Sequence, residues 1–338
     1  MYNWYVRLVM IATLLALTVV VLGAYVRLTD AGLGCPDWPG CYGSLILPGE
    51  AEERAEADAA FPERDLDPQK AWNEMIHRYV ATTLGFSIML LALLAWLNRK
   101  DSAQPVTLPI VLLGVVIFQG LLGMWTVTLL LKPLIVMAHL LGGLTTLGIS
   151  FWLLLEHRRR SDVAAKRPRP VRKAALVCLA VLILQIALGG WTSSNYAALA
   201  CPDLPLCQGQ WWPEQANFGE GFVLWRGLGI DYEFGVLDAP SRVAIHFVHR
   251  LGAVATFLLL LFVAISFLRR ESGPDPAVVH RASQLVILSL VAQVSIGVGI
   301  VWFGLPLFLA TAHNGVAALL LLSVINLNHA ASLYAAPA

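Results

Sequence analysis

Cys35-Pro36-Asp37-Trp38-Pro39-Gly40-Cys41 returns 166 residues later as Cys201-Pro202-Asp203-Leu204-Pro205-Leu206-Cys207. Chance does not produce two Cys-x5-Cys segments that also share a Pro-Asp pair and a second proline, so the chain reads as an internal duplication. The same offset sets Gly23-Ala24-Tyr25 on Gly189-Gly190-Trp191. Farther along, His77-Arg78-Tyr79 corresponds to His249-Arg250-Leu251, and each is followed by a second histidine, His139 after 62 residues and His313 after 64. Gln119 precedes His139 by 20 residues and Gln293 precedes His313 by the same 20.

The composition sets the solvent in which this duplication folds. Of 338 residues 58% are hydrophobic and 13% charged, against roughly 25% charged in an ordinary soluble domain, and the mean hydropathy is +0.70. Runs near or above the ~18 apolar residues that mark a spanning helix fall at about 8–27, 74–97, 107–131, 133–155, 174–193, 243–268, 282–303 and 305–327. The expected fold is an all-α integral membrane protein of eight transmembrane helices, arranged as two pseudo-symmetric four-helix bundles. Residues 1–157 would form the N-terminal unit, 158–173 a basic cytoplasmic linker and 174–338 the C-terminal unit. An even number of spans per unit gives both the same orientation, as in parallel repeats related by an axis along the membrane normal.

Charge distribution sets the topology. Arg158, Arg159, Arg160, Lys166, Arg167, Arg169, Arg172 and Lys173 crowd the segment 156–173, Arg99 and Lys100 follow the second span, and Arg269 and Arg270 follow the sixth. By the positive-inside rule these loops are cytoplasmic, which puts both termini inside and the long loops 28–72 and 194–241 outside. Glu50, Glu52, Glu53, Glu56 and Asp58 make the first of these loops acidic. The basic run reads as a solvated topology signal rather than a nucleic-acid site. The first span, preceded only by Arg7 and ending in Tyr25-Val26-Arg27 without a small-residue cleavage site, is expected to be a retained helix.

On this topology spans two, four, six and eight all enter from outside, and His77, His139, His249 and His313 lie early in them at similar depth. An imidazole in hydrocarbon is costly without a partner and marks a functional site. Two histidines on facing helices of a bundle suit a bis-histidine haem. An interhelical hydrogen bond explains one such residue more simply than it explains the duplicated set. Zinc fits less well, since a structural site wants four ligands. Arg78 and Arg250, each next to a histidine, are candidates for haem propionates or for headgroup contact.

The halves differ at one telling place. Glu74 stands three residues before His77, on the same helix face, where His246 stands before His249. The carboxylate reads as a membrane-edge group, a hydrogen-bond partner for the cofactor edge, or a general base. Gln119, Gln185 and Gln293 each precede a glycine by four residues (Gly123, Gly189, Gly297), a pattern that suits close helix packing with an interhelical amide bond, or a polar contact to a cofactor. The outer-loop cysteines are expected as Cys35–Cys41 and Cys201–Cys207 disulfides, permitted in an extracytoplasmic compartment, structural or redox-active. Cys178, inside a span, reads as a core residue. His157, His280 and His329 receive no role.

Together, Glu74-x-x-His77-Arg78, His139, His249-Arg250, His313, the paired loop cysteines and eight spans in two halves resemble the haem A synthase (COX15/CtaA) family, from about residue 8 to residue 327. The resemblance implies oxidation of the C8 methyl of haem O to a formyl group through a hydroxymethyl intermediate, with water as oxygen source. It implies His77 and His139 at the iron of the substrate haem, Glu74 at the reaction, and His249 and His313 as axial ligands of a haem B cofactor. It further implies a bacterial cytoplasmic (inner) membrane, haem O and haem A as small-molecule partners and no nucleic acid. A complex with the farnesyltransferase that makes haem O, with cytochrome oxidase assembly factors or with a second copy of the chain is compatible with it. The same four histidines also suit a non-catalytic dihaem b-type electron carrier or a quinol oxidoreductase subunit. A transporter is disfavoured, because the histidines sit near one face rather than at the midplane.

Overall fold

The computed structural model describes residues 2–101, 104–162, 173–269 and 276–333. Ten helices are present among them: α1 Tyr2–Leu28, α2 Ala51–Ala60, α3 Pro68–Leu97, α4 Thr107–Thr128, α5 Pro133–Asp162, α6 Lys173–Ser194, α7 Phe218–Gly221, α8 Ala239–Leu268, α9 Pro276–Trp302 and α10 Leu307–Leu333. Eight are long and apolar enough to cross a membrane, in one-to-one correspondence with the eight expected spans. The basic linker expected at 158–173 lies mostly outside the described residues.

Helix starts depart from the apolar runs for a local reason. Spans two and six begin at Pro68 and Ala239, several residues before their first apolar stretch, because an aspartate caps each. Asp67 accepts from the backbone N–H groups of Gln69 and Lys70, Asp238 accepts from that of Ser241, and a proline occupies the first turn in both. Such caps satisfy donors that a helix end leaves open, so a polar turn extends each helix above the hydrocarbon. The short helices α2 and α7 lie in the two long loops.

No span buries more than 33% of its most apolar window inside the protein. That outward apolar surface is untenable in water and natural in lipid, so the protein is a multi-pass membrane protein. Inside, α1 packs on α3, α3 on α4, α4 on α5 and α5 back on α1, while α6, α8, α9 and α10 close a second ring in the same way. This arrangement fits two four-helix units. They meet where α1 packs on α10 and α5 on both α6 and α10. Buried Ala12, Ala16, Ala95, Ala175 and Ala264 belong to one core that runs through both rings; small residues let helix backbones approach where lipid supplies no hydrophobic drive. Asn328 of α10 donates to the Ala175 carbonyl of α6 at 2.9 Å, and Cys178 is buried in the same core.

The second long loop crosses over the first ring. The Tyr232 N–H donates to the Leu130 carbonyl at 3.0 Å, and Arg64 pairs with Glu233 at 2.6 Å and Asp231 at 3.2 Å. Lys132, only 2% exposed, donates to the Gly227 carbonyl at 2.7 Å with its ammonium 3.6 Å from the Trp225 ring centroid. On the other side Arg27 donates to the Ser193 carbonyl at 2.6 Å, and Asp30 accepts from the Tyr196 hydroxyl at 3.0 Å. A charged hydrogen bond is worth roughly 1.5–3 kcal/mol and a desolvated cation–π contact up to about 2 kcal/mol. Lys132→Ala should therefore leave the chain folded but loosen this strap, seen as faster proteolytic cleavage between residues 222 and 236.

Candidate functional site

The histidines stand on diagonally opposed helices. α3, carrying His77, and α5, carrying His139, make no close backbone approach among the described residues, and neither do α8, carrying His249, and α10, carrying His313. His77 and His139 are nevertheless near enough to interact electrostatically, as are His249 and His313. Each imidazole lies deep among packed helices yet keeps accessible surface. Nδ1 of His77, His139 and His313 is buried without a hydrogen-bond partner.

Every imidazole rests against a glycine of the preceding transmembrane helix. A Cβ added at Gly23 would stand 3.0 Å from Cε1 of His77, at Gly123 3.4 Å from that of His139, at Gly189 3.2 Å from that of His249, and at Gly297 3.1 Å from that of His313. One rule thus recurs in four helical hairpins. Three of the glycines follow a glutamine by four residues, and these glutamines reach the histidines themselves. Nε2 of Gln119 donates to the His139 carbonyl at 2.9 Å, Nε2 of Gln185 donates to the His249 carbonyl at 3.0 Å and lies 3.1 Å from its Nδ1, and Nε2 of Gln293 lies 3.1 Å from Nε2 of His313. Interhelical packing and a polar role are therefore one arrangement, directed at the histidine.

Both disulfides are formed, Cys35–Cys41 and Cys201–Cys207, and their loops repeat each other atom by atom. Asp37 accepts from the N–H groups of Tyr42 and Gly43 at 2.6 and 3.0 Å, and Asp203 from those of Gln208 and Gly209 at 2.6 and 2.8 Å. The Gly209 N–H is the main influence holding the Asp203 carboxyl below its usual range. Positive φ at Tyr42 and Gly43, and at Gln208 and Gly209, turns these N–H groups toward the carboxylate.

The residues beside the histidines hold these loops. Glu74 is 5% exposed; its carboxylate accepts from the Cys35 N–H at 2.9 Å and from Arg78 at 2.5 Å. His246 occupies the equivalent place, its Nδ1 accepting from the Cys201 N–H at 3.0 Å. Arg78 donates to the carbonyls of Asp37, Pro39 and Gly40, and Arg250 to those of Asp203 and Pro205 at 2.9 and 3.0 Å. A solvated, membrane-edge Glu74 is thereby set aside, and both guanidinium groups are engaged first by loop carbonyls. The Glu74/His246 asymmetry is legible in the sequence, whereas the shared bond is not. Its partners lie 39 and 45 residues apart, and the unequal loop lengths hide the correspondence.

Comparison with known proteins bears on this site. Residues 6–325 match the model of the COX15-CtaA family, described as a cytochrome oxidase assembly protein. The chain belongs to the COX15-CtaA family. Among relatives of this COX15-CtaA protein, one from Shewanella oneidensis named heme A synthase is 45% identical, covering 97% of this chain and 96% of its own. Proteins of the same name from Mesorhizobium japonicum and Halalkalibacterium halodurans are 30% and 27% identical, over 92% and 89% of this chain and 86% and 88% of theirs.

Removing the acceptor from a buried N–H costs roughly 1–3 kcal/mol. In this COX15-CtaA protein His246→Ala should lower the thermal unfolding midpoint and speed reduction of Cys201–Cys207 by a mild thiol, read by alkylation and mass spectrometry, with Cys35–Cys41 unchanged.

Proposed function

We propose that this protein is a haem A synthase, which oxidises the C8 methyl of haem O to a formyl group by way of a hydroxymethyl intermediate, with water as the oxygen source. One observation carries the assignment of the two halves. Paired histidines face each other across both rings, and a buried carboxylate stands beside only the N-terminal pair. The relatives named heme A synthase support the reaction, and the dihaem-carrier reading finds no support in them.

The donor set suits haem. Diagonal helices leave width between the imidazoles, the glycine walls fix each ring edge, and three orphaned Nδ1 atoms mark buried nitrogens that need a partner. His77 and His139 would hold substrate haem O; His249 and His313 would hold haem B. Haem B held by these two histidines would supply one-electron transfer. Glu74 would take the proton released as the methyl is oxidised. Its pairing with Arg78 keeps a charge partner beside it, and its bond to Cys35 fixes its orientation. The crossing loop anchored by Lys132 and Tyr232 would keep water from the N-terminal site except where the reaction consumes it. We place the disulfide loops outside and both termini in the cytoplasm of a bacterial inner membrane, following the basic loops, with residues 1–157 and 174–338 as the two units. Haem O delivery by its farnesyltransferase would be seen as co-purification from native membranes in mild detergent.

Liquid chromatography with mass detection of haems, extracted from protein purified out of cells that make haem O, tests the assignment. Haem A or its hydroxylated precursor alongside haem B is expected; haem B alone would return the dihaem carrier. Glu74→Gln keeps an acceptor for the Cys35 N–H and should retain haem while losing product. Full activity in that variant would remove the proton-accepting role. His249→Ala and His313→Ala should each lose the haem B absorbance.

A further inference from the structure

The four hairpins share a glycine wall but not a glutamine. Gln119, Gln185 and Gln293 stand one turn before Gly123, Gly189 and Gly297, whereas the residue one turn before Gly23 is Val19. His139, His249 and His313 therefore each have a carboxamide beside them, and His77 has a valine in that position. All three carboxamide oxygens, Oε1 of Gln119, Gln185 and Gln293, are buried without a hydrogen-bond partner. An orphaned acceptor in an apolar interior is costly, and three equivalent ones beside three equivalent histidines call for a common explanation. Space has been made for two of them. A Cβ at Gly142 or Gly252, each three residues after a histidine, would collide with the oxygen of Gln119 or Gln185.

A histidine that binds metal through one ring nitrogen carries a proton on the other. An acceptor for that proton fixes the ring and raises the basicity of the ligand. Resting on the haem reading above, we propose that Gln119, Gln185 and Gln293 are positioning residues: their carboxamides, whose Nε2 faces the rings of His249 and His313 in the haem-free arrangement, turn to bring the orphaned oxygen onto the ring N–H of His139, His249 and His313 when these ligate iron, and His77, lacking such an acceptor, is the ligand that yields. The distribution matches what each half must do. The C-terminal unit, with both ligands supported, keeps its haem; the N-terminal unit, with one ligand supported, exchanges substrate for product.

Haem transfer from the full-length protein in detergent, loaded with ferric haem B, to excess apomyoglobin measures this directly. The wild type should release haem in a fast phase, absent in His77→Ala, and a slow phase. Losing an outer-shell partner typically weakens a ligand site by about 10- to 100-fold. Gln185→Leu and Gln293→Leu should accelerate the slow phase by about that factor and shift the low-spin ferric electron paramagnetic resonance signal, which reports imidazole orientation. Gln293→Glu, which retains a carboxyl oxygen, should restore both. Val19→Gln should slow the fast phase, a gain that damage to folding does not produce. Haem bound in the wild type with release rates and spectra unchanged in the leucine variants and in Val19→Gln overturns this inference alone. A wild type that binds no haem overturns the haem A synthase reading with it.

Discussion

An imidazole in hydrocarbon needs a partner for its ring nitrogens, and the structure sets four such imidazoles at equivalent points of two helical rings, three of them with Nδ1 unpartnered. Each histidine sits early in its span, against a glycine of the preceding helix, and faces a second histidine from the diagonal helix of its ring. On the haem reading, diagonal placement matters because neighbouring helices pack too closely to admit a flat macrocycle, while helices without close backbone approach leave its width. The even number of spans per half then follows. A ring of four is the smallest closed arrangement with two diagonals, and its even count returns the chain to the same side of the membrane before the pattern repeats.

On the proposed reading, the two halves use the same scaffold for different chemistry. Glu74 and His246 make the same bond, to the N–H of the first cysteine in each disulfide loop, and Arg78 and Arg250 both grip loop carbonyls. A neutral imidazole acceptor suffices to hold a loop. A carboxylate there holds the loop as well and adds a proton acceptor beside the histidine pair, at the expense of burying a charge, which Arg78 offsets by pairing with it. The proton-accepting role proposed for Glu74 thus falls on a position whose equivalent, His246, holds its loop without a carboxylate.

The C-terminal half also contributes to the N-terminal one. Its long loop runs over the first ring, held by Lys132 under Trp225, by Arg64 on Asp231 and Glu233, and by Tyr232 on the Leu130 backbone. Such contacts are buried or networked rather than single exposed ion pairs, and so carry more than surface salt bridges do. They give the aromatic, glycine-punctuated stretch after Trp212 a purpose: it covers the half that carries Glu74.

Much of this was legible in one dimension. Apolar run lengths decide the eight spans, because a helix must satisfy its own backbone across the lipid. The 166-residue repeat marks out the paired cysteines and points to two halves, and the four histidines stand out as candidates by being expensive where they stand. The helix starts at Pro68 and Ala239 were less legible, since caps and polar turns lie above the apolar run. Tertiary structure alone decided that Glu74 and His246 share one backbone partner, that the glutamines reach the histidines rather than merely pack, and that the second loop crosses to the first ring. Repeats and hydrophobic runs are local or periodic properties of the chain, whereas these contacts join segments across loops of unequal length, and only the folded path brings them to hydrogen-bond distance.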